Sequence, residues 1–214
     1  MNFIPEALET YCITHSEKIP PILEALERET WQKVLAPRML TGGLQGRLLS
    51  ALATLKAPKQ VLEIGTYTGY SALCLAEGLT ANGTLHTIDK NEELVALQHK
   101  YFSKSPFGNQ IKTYLGDALE VLPTLNVMFD LVFLDADKKN YPNYLKLIIP
   151  KLNPGAILLS DNVLWSGKVI NPLEKNDEDT QALLTYNKLL ANHPQFKTVL
   201  MPIRDGLTLS VFKP

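Results

Sequence analysis

Apolar and polar positions follow two regimes along this chain. Up to about residue 58 the apolar residues recur at helical intervals and strand signals are missing. Residues 5–14 and 20–35 read as helices, the second opened by Pro20 and Pro21 and able to bring Leu23, Leu26, Thr30 and Trp31 onto one face. From about residue 59, short apolar runs alternate with amphipathic stretches. Strands are expected at 60–64, 84–88, 111–115, 129–134 and 155–160, and helices near 69–78, 91–103, 117–123, 141–150 and 177–191. Strands separated by helices predict a parallel sheet covered on both faces. The tail breaks this rhythm: residues 196–202 and 207–212 are two short strands around Asp205-Gly206, a hairpin signal that turns the last strand antiparallel. The expectation is one α/β domain, with 1–58 as a helical cap and 59–214 as the core.

Composition narrows the class without choosing a chemistry. At 214 residues, 45% apolar and 20% charged, the chain can bury a full α/β core. A formal charge of −1 gives no global grip on nucleic acid or anionic lipid, which favours a small-molecule partner. No apolar run approaches the ~18 residues of a membrane span, and Met1-Asn-Phe-Ile-Pro lacks the basic start of a secretion signal, so a cytoplasmic location is expected. Cys12 and Cys74 have no partner spacing and read as packing residues. Asn82-Gly-Thr84 reads as a turn, and Glu174-Lys-Asn-Asp-Glu-Asp179 as a solvated loop leading into a helix.

Val61-Leu-Glu-Ile-Gly65-Thr-Tyr-Thr-Gly69-Tyr-Ser71 is a buried strand running through a glycine turn into a helix, the layout of a nucleotide-cofactor cradle. Its glycines are spaced Gly-x-x-x-Gly, not the Gly-x-Gly-x-x-Gly that closes on a pyrophosphate, so a cofactor without that diphosphate fits better. Glu63 can accept hydrogen bonds from a cationic amino group, and Asp89 ends the next strand where a ribose partner belongs. An ordinary strand-turn-helix followed by a surface acid would carry the same glycines.

A second constellation bears on chemistry. The strand Phe129-Asp-Leu-Val-Phe-Leu ends at Asp135, with Lys138 and Tyr141 just after it, and Ala156-Ile-Leu-Leu-Ser ends at Asp161-Asn162. In an open parallel sheet both tips face one crevice, so Asp135, Asp161 and Asn162 can offer three oxygens to a hard cation. The absence of Cys or His beside them argues against zinc. An octahedral ion held this way keeps positions for a vicinal diol. Strand-end acids that simply cap helices remain the alternative. Lys138 can serve as a proton acceptor if burial and a neighbouring cation favour its neutral amine; a solvated lysine of a Lys-Lys pair is the other reading. Tyr67, Tyr141 and Trp165 can wall the pocket or belong to the core.

In these segments the chain resembles the cation-dependent class I O-methyltransferases, a group that holds caffeoyl-CoA O-methyltransferases, catechol O-methyltransferase and small bacterial relatives. The resemblance rests on MLTGGLQGRLL from Met39, LEIGTYTGYSAL from Leu62, TID from Thr87, GDALEVLP from Gly116, FDLVFLDADKKNY from Phe129 and SDNVLWSGKV from Ser160. It implies a Rossmann-like methyltransferase sheet, mostly parallel with an antiparallel last strand, helices on both faces and an N-terminal helical cap. It implies S-adenosylmethionine as methyl donor, contacted by Met39, Thr41, Glu63, Gly65, Tyr67, Ser71, Asp89, Asp117, Ala118 and Asp135. Asp135, Asp161 and Asn162 would hold a divalent cation, magnesium foremost with manganese or calcium as alternatives. Lys138 would be the catalytic base, with Lys138, Tyr141 and Trp165 against a catechol-type substrate, and the assembly a homodimer. Asp137 precedes Lys138 where animal catechol enzymes carry a Trp, and Val199 to Arg204 precede Asp205-Gly206 where those enzymes carry a Glu upstream, so the resemblance is closer to the plant and bacterial branch. A transfer-RNA hydroxyuridine acceptor would use the same cofactor and metal residues; a non-catalytic cofactor-binding protein would not need all of them.

Overall fold

The apolar runs assigned to strands lie side by side in one sheet. The computed structural model describes residues 4–214, so Met1-Asn2-Phe3, part of the stretch read as lacking a secretion signal, fall outside the described residues. The helical cap comprises α1 (Glu6–Thr14), α2 (Pro21–Lys33) and α3 (Gly43–Lys56). There follow β1 (Gln60–Ile64), α4 (Tyr70–Ala76), β2 (Thr84–Asp89), α5 (Val95–Phe102), β3 (Ile111–Leu115), α6 (Ala118–Thr124), β4 (Phe129–Leu134), α7 (Tyr141–Ile148), β5 (Leu152–Asp161), α8 (Glu178–Ala191), β6 (Phe196–Met201) and β7 (Leu207–Phe212). The seven strands are ordered β3-β2-β1-β4-β5-β7-β6. β1 to β5 pair in parallel, and β7 runs antiparallel to both of its neighbours, as the tail pattern predicts.

Alternation along the strands divides the apolar side chains between two cores. Leu62, Ile64, Val132, Leu134 and Leu158 pack under α6, α7 and α8. Val61, Leu85, Leu131, Phe133 and Leu159 pack under α2, α3, α4 and α5. The register pairs Ile64 with both Ile88 and Leu134, and Leu134 with Ser160, so four strand tips end at one level. Chain order reverses between β1 and β4, which opens a crevice at those carboxyl ends.

Several expectations need correction. Leu23, Leu26 and Thr30 are buried, but Trp31 is 58% exposed: one residue past Thr30 it turns about 100° away from the buried stripe. Cys12 is exposed on α1, a helix with no buried residue, whereas Cys74 is buried. Burial pushes the Cys74 thiol up to about 12. Helix α3 was not among the expected elements. It begins at Gly43 and carries Gly46, where a Cβ would come within 2.8 Å of the Tyr70 ring and 2.9 Å of Cys74 Sγ, so the small residue lets α3 close on α4. The expected helix 141–150 stops at Ile148 and tightens into a 3-10 turn over Ile149–Lys151, with Pro150 inside it. β5 starts at Leu152, three residues before the expected strand. The acidic run behaves as read: Asp177 caps α8 by accepting from the Thr180 amide (3.0 Å) and pairs with Lys168 (2.8 Å).

Candidate active site

The cofactor side of the crevice is shaped by backbone. Gly65 has φ +102°, and a Cβ there would lie 1.8 Å from the carbonyl oxygen of Asp135, so only glycine fits between β1 and β4. Tyr67 is left-handed at φ +48°, which aims its N–H at Asp89 Oδ2 (2.6 Å); the Asn91 N–H donates to Asp89 Oδ1 (2.9 Å). Two amides therefore fix the Asp89 carboxylate at the tip of β2. Gly69, at φ +91°, turns the chain into α4 and places Ser71 in its first turn. Glu63 lies below this floor, fully buried. The Thr87 hydroxyl donates to its Oε2, while Oε1 has no hydrogen-bond partner. Burial pushes this carboxyl up to about 8, with Asp135 and Asp89 adding to the effect and the Ser71 and Thr87 hydroxyls opposing it.

The opposite side is a network of side chains. Lys138 is 6% exposed, so it is not a solvated lysine; its Nζ donates to Asp135 Oδ1 (3.0 Å) and to the Tyr141 hydroxyl (2.8 Å). Tyr141 in turn donates to the Asp161 carbonyl (2.8 Å). Burial first, then Asp135, Asp161 and Tyr186, hold the Tyr141 hydroxyl well above its ordinary pKa, so it stays a neutral phenol. Gln45, reaching from α3, donates to Asp161 Oδ2 (2.7 Å), and the Asn162 amide to Oδ1 (2.8 Å). Burial and the neighbouring Asp135 raise the Asp161 carboxyl, against the pull of Lys138, Gln45 and Arg204. Among the described residues, no group of three or more His, Cys, Asp and Glu side chains gathers as an ion site; the oxygen-bearing side chains here are the two carboxylates and the Asn162 carboxamide.

Both sides open into one cleft of about 1150 Å³. A family model described as O-methyltransferase matches residues 13–213. The chain belongs to this O-methyltransferase family. Caffeoyl-CoA O-methyltransferase of Petroselinum crispum is 34% identical, over 80% of this chain and 76% of its own length. Podospora anserina methyltransferase PaMTH1, solved with S-adenosylhomocysteine, superposes with a TM-score of 0.88 at 30% identity, covering 98% of this chain and 95% of that one. The O-methyltransferase TomG of Streptomyces achromogenes, solved with S-adenosylmethionine, gives 0.88 at 27%, covering 97% and 96%.

In this methyltransferase, Met39, Thr41, Gly65, Tyr67, Ser71, Asp89, Asp117 and Ala118 all line the cleft, as do Asp135, Lys138, Asp161, Asn162 and Trp165. Glu63 does not reach its wall. Tyr141 corrects the expected pocket wall: it is fully buried, packs edge-on against Tyr186 with ring centroids 5.2 Å apart, and supports Lys138 from behind. Tyr144, one helical turn on, takes the wall position and donates to Asp137 Oδ1 (2.6 Å). Asp117 caps α6 through the Leu119 amide (2.8 Å) while also facing the cleft. Gln45, Tyr144, Arg204 and Asp205 were not anticipated. Gln45 carried a signal: a polar residue of the Met39 segment that had to be satisfied if buried.

Proposed function

We propose that this chain transfers the methyl group of S-adenosylmethionine to one hydroxyl of a catechol-type aromatic small molecule, acting as one catalytic domain. The observation that carries the reading is the meeting, in one cleft, of the Gly65–Asp89 cradle with half-buried Asp135 and buried Asp161 and Lys138. The bound ligands named for PaMTH1 and TomG support the donor, and the parsley relative's named substrate, which bears a catechol ring, supports the acceptor.

Asp89 would hold the ribose hydroxyls through the carboxylate that two amides already orient. Asp135, Asp161 and Asn162 fit a hard divalent cation, magnesium foremost and manganese or calcium otherwise: the donors are all oxygen, and burial, then Asp135, drive up the proton affinity of Asp161, a penalty on its charge that added positive charge relieves. When bound, such a cation acidifies one acceptor hydroxyl and anchors its neighbour. Gln45 keeps Asp161 aimed. Lys138 Nζ, fixed between Asp135 and Tyr141, would be the group that takes the phenolic proton. Trp165 and Tyr144 would flank the ring. The attacking oxygen, methyl and sulfur then need only alignment, since the sulfonium loses its charge on transfer.

We also read the protein as a cytoplasmic homodimer. Exposed Leu8, Tyr11 and Ile13 on α1 support a subunit contact, and a free, buried Cys74 suits a reducing compartment.

The test is a rate comparison with labelled S-adenosylmethionine, using 3,4-dihydroxybenzoate, 3-hydroxybenzoate, and hydroxyuridine-bearing transfer RNA, with magnesium or with chelator. Cation-dependent methylation of the catechol, about tenfold or more above the phenol, is expected from the lost second anchor. Equal rates would refute diol recognition, and methylation of the RNA alone would replace the acceptor.

A further inference from the structure

The turn between β6 and β7 grips two of the loops that border the cleft. On one side Arg204 Nη1 donates to the carbonyl of Leu40 at 3.1 Å and to that of Thr41, in the loop leading into α3. On the other, Asp205 Oδ1 accepts from the Ser166 amide at 2.5 Å, its carbonyl accepts from the Leu164 amide at 2.9 Å, and the Gly206 carbonyl from the Val163 amide at 3.1 Å. Met39 and Thr41 line the cleft from the first loop and Trp165 from the second, and Arg204 and Asp205 face the cleft between them.

The backbone conformations show that these bonds impose shape. Arg204 stands at φ +49°, a left-handed position that glycine fills without cost. On the gripped loop Trp165 and Ser166 are left-handed in succession, at φ +48° and +53°. Non-glycine residues keep such conformations only where their surroundings hold them. Here one guanidinium nitrogen holds one loop and the adjacent carboxylate the other.

We propose that this turn is a bracket carrying cofactor occupancy to the acceptor wall, with Arg204 and Asp205 as its positioning residues. A ligand packed against Met39 and Thr41 fixes the Leu40 and Thr41 carbonyls. Arg204 bonds them through a rigid planar group, so their position sets that of the turn. Asp205, the next residue, sets the Ser166 amide and with it Trp165. The acceptor wall therefore takes its working shape once the donor is seated, because a ligand shifts a conformation only through contacts that differ between states. The inference rests on the reading that S-adenosylmethionine occupies the Met39–Thr41 side.

The sequence has two tryptophans, so Trp31→Phe leaves Trp165 as the sole indole reporter. In that background we expect S-adenosylhomocysteine to change Trp165 emission on saturation. Arg204→Gly, which relieves the left-handed strain, should keep the thermal midpoint at or above the parent yet weaken S-adenosylhomocysteine about tenfold, the scale of lost charged hydrogen bonds. Even at saturation its Trp165 response should be largely lost. Asp205→Ala should lose the response while binding S-adenosylhomocysteine like the parent, and Asp205→Asn, which keeps an acceptor for Ser166, should restore it. A full Trp165 response in Arg204→Gly overturns the bracket, whatever the fate of the Asp205 variants. A parent that binds S-adenosylhomocysteine with no Trp165 change overturns the bracket alone. A parent that binds none overturns the donor reading with it.

Discussion

The two banks of the cleft are made of different materials. The cofactor bank is main chain: Gly65 squeezed against the Asp135 carbonyl, left-handed Tyr67, and an Asp89 carboxylate pinned by two amides. The acceptor bank is a mesh of side chains, buried except for half-buried Asp135, in which Lys138, Asp135, Tyr141, Asp161 and Gln45 each depend on another. A bank of main chain is continuous with the fold, so damage to it should appear as lost stability. A bank of side chains is supported by the fold without forming it, so damage should appear as lost chemistry in a folded protein.

The sharpest test of that division is Asp161→Asn. It preserves shape and one of the two acceptor oxygens, and should lower turnover by about two to three orders of magnitude, the scale for removing a preorganised electrostatic group. Its thermal midpoint should stay within a few degrees of the parent, because a buried carboxyl beside Asp135 adds no stability of its own. A collapse of the midpoint in step with turnover would break the comparison. Gly65→Ala should do the reverse. The methyl group meets a backbone oxygen in a left-handed segment, so unfolding by denaturant should show a loss of about 3 kcal/mol or more. Near-parental stability there would mean that the β1–β4 approach is looser than the geometry requires.

Glu63 lies buried beneath the cofactor bank, and gives the smallest effect. Its folded carboxyl sits at about 8 against 4.5 unfolded, so folding favours the protonated acid. That contribution is complete below about pH 4.5 and disappears as pH rises through 8. Glu63→Gln keeps the neutral shape, so melting curves from pH 6 to 9 should fall less steeply for the variant than for the parent. Parallel curves would show that the acid is already ionised in the fold.

What was legible in the sequence follows the same division. The strand tips, Gly65, Asp89, Asp135, Asp161 and Asn162 were readable because each is fixed by its neighbours in sequence: an apolar run, then a turn, then an acid. Helix α3 was not, because Gly43 and Gly46 are poor helix formers and its buried positions include Gln45, Arg47 and Ser50, which mask an apolar stripe. The Gln45–Asp161 bond spans 116 residues, beyond any local signal. The exchange of Tyr141 for Tyr144 at the wall turned on where α7 begins; a 3-10 turn over Lys138–Asn140 sets that phase and sends Tyr141 inward. Arg204 escaped notice because the left-handed turn it occupies is a place where a pattern reader looks for glycine.

The close seating of α3 on α4 also divides the protein's sulfur chemistry. Cys74, sealed beside Gly46 with its thiol pushed up to about 12, stays an unreactive thiol while the fold is closed, whereas Cys12 stands open to solvent on α1. An alkylating reagent should therefore add one tag promptly, at Cys12, well away in sequence from every residue of the cleft. The second tag has to wait for α3 and α4 to part. Its slow arrival, followed by mass, would time the opening of the native core with no mutation or added dye.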